Sequence, residues 1–119
     1  MTNSGVLDQA ALASLLEMTG GDQVFLAELI DTYGDDGRTL LATMQTALGR
    51  GDAAELRRAA HSLKSNSATF GAAHLAALCQ ELEARGKASR LDGSAELLAR
   101  AEAEFDRVAE ALRAARPVG

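Results

Sequence analysis

Asp52-Ala53-Ala54-Glu55-Leu56-Arg57-Arg58-Ala59-Ala60-His61-Ser62-Leu63-Lys64-Ser65-Asn66-Ser67-Ala68-Thr69-Phe70-Gly71 is the stretch on which the reading turns. Its apolar positions, Leu56, Ala59/Ala60, Leu63 and Phe70 with the small Ser67, recur at helical spacing. Asp52 supplies an N-cap and Gly71 a stop or bend. At 100° per residue His61 lies about 160° from Leu63, so it points away from the apolar stripe. Within about 60° of it stand Arg57, Arg58, Lys64, Ser65 and Ala68, which are basic or small.

The same periodicity runs outward in both directions. Upstream, Asp8 is a plausible N-cap for a short helix with Leu12, Leu15 and Leu16 on its apolar side, ended by Gly20-Gly21. Asp22 caps the next helix, about 22–49, whose stripe is read through Phe25, Leu29, Tyr33, Leu40, Met44 and Leu48. Gly34-Asp35-Asp36-Gly37 interrupts it in composition, each glycine weakening a helix by roughly 1 kcal/mol relative to Ala. The phase survives the interruption, so one long helix is expected, with two helices joined by a tight turn as the alternative. Downstream, a helix over about 72–86 shows Leu75, Leu78, Cys79 and Leu82, then Gly86 to Gly93 reads as a polar connection. A last helix over about 94–115 uses Leu97/Leu98, Ala101, Phe105, Val108 and Leu112. Residues 1–5 carry no pattern and read as a frayed start. The expectation is an all-α chain: an antiparallel four-helix bundle with a short extra N-terminal helix, one domain over 1–119 with its core at about 7–115.

Composition agrees. Apolar residues make up 47% of the 119, yet there are only three Phe, one Tyr and no Trp. Ala and Leu in their place favour close-packed helices over sheets. The one proline, Pro117, interrupts no helix. The net charge of −5 argues against a nucleic-acid binder. A single cysteine, Cys79, excludes an internal disulfide and a cysteine zinc cage. No basic leader and no apolar run of about 20 residues is present, so a soluble, cytoplasmic protein with no membrane part is expected.

An exposed histidine flanked by cations and small side chains has the properties of a phosphoryl carrier. The ring is reachable, and a solvated imidazole is largely neutral at pH 7 and nucleophilic at one nitrogen. A nearby cation offsets phosphoryl charge, and small neighbours leave room for a tetrahedral group. The bland alternative is a solvated side chain on an Ala-rich helix, and geometry alone leaves both open.

The block Ala60-His61-Ser62-Leu63-Lys64-Ser65 through Phe70-Gly71-Ala72 resembles the signature of the histidine-containing phosphotransfer (Hpt) family, in which A-H-x-L-K followed by Gly or Ser leads to a glycine ten residues after the histidine. Leu75, Leu78, Cys79 and Leu82-Glu83 continue the match, as do Gly51-Asp52 and Gly20-Gly21-Asp22, so that it covers roughly 7–113. The resemblance implies a phosphorelay carrier. His61 is the phosphoacceptor through Nε2, and Lys64 lies near the phosphoryl oxygens. Ser65 stands at the small position that is usually glycine, its hydroxyl within reach of a phosphoryl group. Glu83 falls where a Gln or Glu accepts from imidazole Nδ1, and Gly71 lets adjacent helices approach. The implied partners are response-regulator receiver domains and/or a hybrid sensor histidine kinase. No cofactor is implied for this chain, since Mg²⁺ belongs to the receiver's acidic pocket. Arg57, Arg58, Arg85 and Lys87 with Lys64 form a basic rim for that pocket. Ala68 joins the docking face, and Leu12 and Leu16 read either as a docking patch or as plain core. The protein is then not an enzyme of the kinase type, and neither Gly34–Gly37 nor Gly49–Gly51 makes a phosphate loop.

Other residues favour structural readings. His74 sits at the edge of a stripe with no second histidine four residues away. Cys79 reads as a buried thiol, and Asp35-Asp36 as a solvated acidic bend lacking further oxygen ligands. Glu102, Glu104, Asp106, Arg107, Glu110 and Arg113 read as a mixed-charge outer face. Rival functions are an interaction module that carries no phosphate, a chemotaxis-type kinase's phosphoacceptor domain, and a helical dimerisation domain. A monomer is the default.

Overall fold

Three aspartates set the starts of the first three helices. Asp8 accepts from the backbone N–H of Ala10 at 2.9 Å, Asp22 from Phe25 at 3.0 Å and Asp52 from Glu55 at 3.0 Å. Each satisfies an amide that has no partner within its own helix. The computed structural model describes residues 6–117, so the frayed start expected at 1–5 lies outside the described residues. Its elements are α1 (Gln9–Met18), α2 (Gln23–Arg50), α3 (Ala53–Thr69), α4 (Ala73–Lys87) and α5 (Ser94–Ala115), with no strand among the described residues. Among those residues no helix is long and apolar enough to cross a membrane. Packing joins α2 to α3, α3 to α4, α4 to α5 and α5 back to α2, while α1 lies against α2.

The stripes of α3, α4 and α5 are those expected, and every residue named for them is buried. That of α2 is different. The helix is continuous through Gly34-Asp35-Asp36-Gly37, but its buried residues are Leu26, Ala27, Ile30, Tyr33, Gly37, Leu41, Met44 and Ala47. Phe25 is exposed, and Leu29, Leu40 and Leu48 are only half-buried. Of the expected stripe Tyr33 and Met44 are buried, whereas Leu26, Ile30 and Leu41 are buried in place of Phe25, Leu29 and Leu40, one residue on, and Ala47 in place of Leu48, one residue back. Gly37 is a core position that carries no apolar side chain to count. A Cβ there would lie 2.6 Å from Phe105 Cζ, so the missing side chain is the space the Phe105 ring occupies. Tyr33 packs on the same ring at 5.7 Å and on Phe70 at 4.8 Å, and its hydroxyl is satisfied by Ser67 Oγ at 2.8 Å.

Two glycines settle how α3 meets its neighbours. Gly71, at φ +77°, is where a left-handed residue ends the helix. Its carbonyl accepts from Asp8 N at 2.8 Å, and a Cβ would lie 2.8 Å from Asp8 O. The close approach expected at Gly71 is that of α1, whose start it seats. The approach of α3 to α4 falls at Gly86, in the last turn of α4, where a Cβ would sit 2.7 Å from Ala53 O and 2.9 Å from Arg57 Cβ. Glu104 is a further correction. It is buried at 4% exposure, off the outer face assigned to it, and its carboxylate reaches Arg107 at 3.0 Å.

Candidate functional site

Close contact of α3 with α4 at Gly86 and Arg57 puts His61 opposite Glu83, one turn on along α3 and one turn back along α4. The His61 side chain is 59% exposed, and its Nδ1 lies 2.9 Å from Glu83 Oε2. Lys64 Nζ lies 2.7 Å from the other oxygen, Glu83 Oε1, which is closed off from solvent. One carboxylate thus serves both residues. The Lys64 ammonium, and secondly the His61 ring, hold the Glu83 carboxyl below the usual carboxylate range, against the opposing effect of its partial burial. Glu83 is therefore ionised at neutral pH and can only accept. In the neutral ring Nδ1 must then carry the proton, which leaves the Nε2 lone pair on the exposed edge. The arrangement is a nucleophilic nitrogen facing solvent, with its tautomer held from behind.

The remaining sequence-derived residues divide. Ser65 and Ala68 are exposed beside His61, so nothing bulky covers the ring on that side. Arg57, Arg58 and Lys87 are exposed, Arg58 pairing with Glu55 at 2.6 Å. Arg85 is half-buried and turns to the α4–α5 connection, where its guanidinium donates to the Asp92 carbonyl. Leu12 and Leu16 are half-buried against the core. His74 is exposed beside the start of α1, lining a notch with Asp8 and Gly71, far along α4 from Glu83. Cys79 is fully buried, and burial pushes its thiol up to about 12, which suits a packed residue and not a redox group. Among the described residues no group of three or more His, Cys, Asp or Glu is placed to hold a metal ion.

The Lys64–Glu83 pair was not anticipated from the sequence. Two opposite charges on adjacent amphipathic helices signal it, but only once the register of α3 on α4 is known.

The Hpt domain family model matches residues 28–115 of the chain. The chain belongs to the Hpt family. Hpt domains are phosphotransfer carriers, not kinases. Among solved structures, the crystal structure of histidine-containing phosphotransfer protein B (HptB) from Pseudomonas aeruginosa matches this Hpt chain with a TM-score of 0.87 and 35% identity. The match covers 93% of this chain and 94% of that one. The curated Multistep phosphorelay regulator 1 of Schizosaccharomyces pombe is 28% identical over 89 residues. Those residues are 74% of this chain but only 30% of the relative, so the Hpt chain spans under a third of that protein's length.

Proposed function

We propose that this Hpt chain carries a phosphoryl group on His61 Nε2, taking it from a receiver-domain phospho-aspartate or a histidine kinase and passing it to another receiver aspartate. The observation that carries this reading is the exposed imidazole whose Nδ1–H is held by the Glu83 carboxylate at 2.9 Å. The Nε2 lone pair attacks phosphorus in line, the bond between phosphorus and the aspartyl oxygen breaks, and the carboxylate leaves with the electron pair. Nδ1 keeps its proton throughout, and Glu83 stabilises the imidazolium that results. Lys64 supplies positive charge for the phosphoryl oxygens, while Ser65 and Ala68 leave space for the partner. The same step in reverse delivers the group.

Arg57, Arg58 and Lys87 form a basic rim that suits the acidic pocket of a receiver, with Arg85 behind it. The Mg²⁺ of the reaction belongs to that pocket and the chain itself takes no cofactor. The names of the two relatives, a phosphotransfer protein and a phosphorelay regulator, support partners of this kind. The ring of contacts from α2 to α5 is what an antiparallel four-helix bundle with a short extra N-terminal helix produces, and we read the whole chain as one such domain. It acts as a monomer in the cytoplasm and has no enzymatic activity of its own.

The test is transfer from a phosphorylated receiver and, in parallel, from a kinase's ATP-binding domain. His61→Gln should take up no phosphoryl group from either, and normal uptake by that variant sinks the assignment. Lys64→Ala should slow uptake roughly tenfold with the fold intact, less than a buried donor is worth because solvent reaches the site.

A further inference from the structure

One carboxylate holds two groups with opposite consequences for chemistry at Nε2. Glu83 Oε2 receives the His61 Nδ1–H at 2.9 Å, and the enclosed Oε1 holds the Lys64 ammonium at 2.7 Å. The first contact is compatible with a phosphorylated ring, because Nδ1 keeps its proton when Nε2 bonds to phosphorus. The second competes with it. The two nitrogens of an imidazole point away from one another, so an ammonium seated on Glu83 is held on the Nδ1 side. The phosphoryl oxygens gather on the other side. Lys64 is only partly exposed and leans toward α4, unlike Arg57, which is exposed, and Arg58, which is exposed and pairs with Glu55 on its own helix. It sits one turn from His61 on a flexible four-carbon stem, so its head reaches either anion but serves one at a time.

We propose that Glu83 is a competing anion that holds Lys64 away from the phosphoryl position in the resting domain, and that phosphorylation of His61 moves Lys64 from the carboxylate to the phosphoryl oxygens. This rests on the reading of His61 as phosphoacceptor and gives Glu83, as a positioning residue, a second role beyond orienting the ring. Part of what the Lys64–phosphoryl contact contributes is spent in breaking the Lys64–Glu83 pair. The phosphohistidine therefore stays poised for onward transfer instead of being trapped. The same movement changes the charge pattern around His61, so a partner meets a different surface before and after phosphorylation.

The experiment uses N-phosphoimidazole as donor, so that no partner protein enters. The His61 Nε2–P bond forms as the donor's P–N bond breaks, imidazole leaves with the electron pair, and each ring keeps its own proton. The equilibrium constant of this exchange is read by phosphorus NMR for the unsubstituted chain, Glu83→Gln, Lys64→Ala and the double variant. Gln retains a carbonyl oxygen for Nδ1–H but no charge for Lys64. Glu83→Gln should raise the equilibrium constant roughly three- to tenfold, and should leave it unchanged or lower it when Lys64 is already Ala, where only support of the imidazolium is lost. An equal gain in both backgrounds overturns the proposal, because Glu83 would then act on the phosphoryl group directly. A loss in both overturns it too, leaving Glu83 only the orienting role. In the unsubstituted chain the Lys64 side-chain nitrogen resonance should shift on phosphorylation, and an unmoved resonance also overturns the proposal. Absence of uptake by the unsubstituted chain sinks the phosphoacceptor reading itself, whereas uptake without these shifts sinks the competition alone.

Discussion

Along the inner face of α3, Leu56, Ala60, Leu63 and Ser67 are wholly buried, whereas Arg57, His61, Ser65 and Ala68 stand exposed on the face turned away from the core. The inner positions are constrained by volume. Each fills space against α2 or α4, and the one hydroxyl among them is matched to Tyr33. The outer positions are constrained by reach and charge, and almost any polar side chain there would leave the fold intact. Two faces of one helix thus answer to separate demands, and a substitution should disturb packing or chemistry but not both.

The sharpest way to break that comparison is Leu63→Ala. Removing a fully buried leucine should cost about 2–5 kcal/mol, read as a lower denaturant midpoint. His61→Gln, on the outer face, should change stability by less than about 0.5 kcal/mol while abolishing uptake. Equal costs on the two faces would end the distinction.

Of comparable size is alkaline unfolding, which tests whether the inner polar groups are closed off from solvent. Burial pushes Tyr33 up from its ordinary 10.0, and Cys79 from 9.0, to about 12 each. Both hold their protons more tightly folded than unfolded. Their contribution is therefore complete below about pH 9 and is lost as pH rises toward 12. Stability measured by denaturant should fall by up to about 7 kcal/mol over that window, at about 1.4 kcal/mol for each pH unit by which a pKa is raised. Cys79→Ala should remove the part that begins near pH 9.

Smaller still is a pair of glycine substitutions that carries the comparison onto α2. Gly37→Ala drives a methyl into the Phe105 ring and should destabilise by about 1–3 kcal/mol. Gly34→Ala, three residues away on the open side, meets nothing within 4 Å. It should stabilise the helix by about 0.5–1 kcal/mol. Thermal melts of the two variants should move in opposite directions.

Much of this is legible in the sequence. The stripes of α3, α4 and α5 and the caps Asp8, Asp22 and Asp52 follow from spacing and side-chain chemistry that act within a few residues. In α2 Tyr33 and Met44 are core residues as the pattern implies, whereas Phe25-Leu26 and Leu40-Leu41 offer two registers of similar apolar content. Gly37, a core position between them, has no side chain to contribute to the pattern. Glu104 was placed outside because its charge predicts solvent, and only packing reveals that it is buried. Arg85 looked like a free cation of the rim until the fold of the α4–α5 connection brought a carbonyl to it.

The site divides in the same way. The sequence by itself determined that His61 faces outward with small and basic neighbours, because a single helix's periodicity orients its own side chains. Only the tertiary structure decided what stands behind the ring. Glu83 meets both His61 and Lys64 because Gly86 lets α4 close onto α3 in one register, and such a register is set by steric fit between distant segments, which no local pattern encodes.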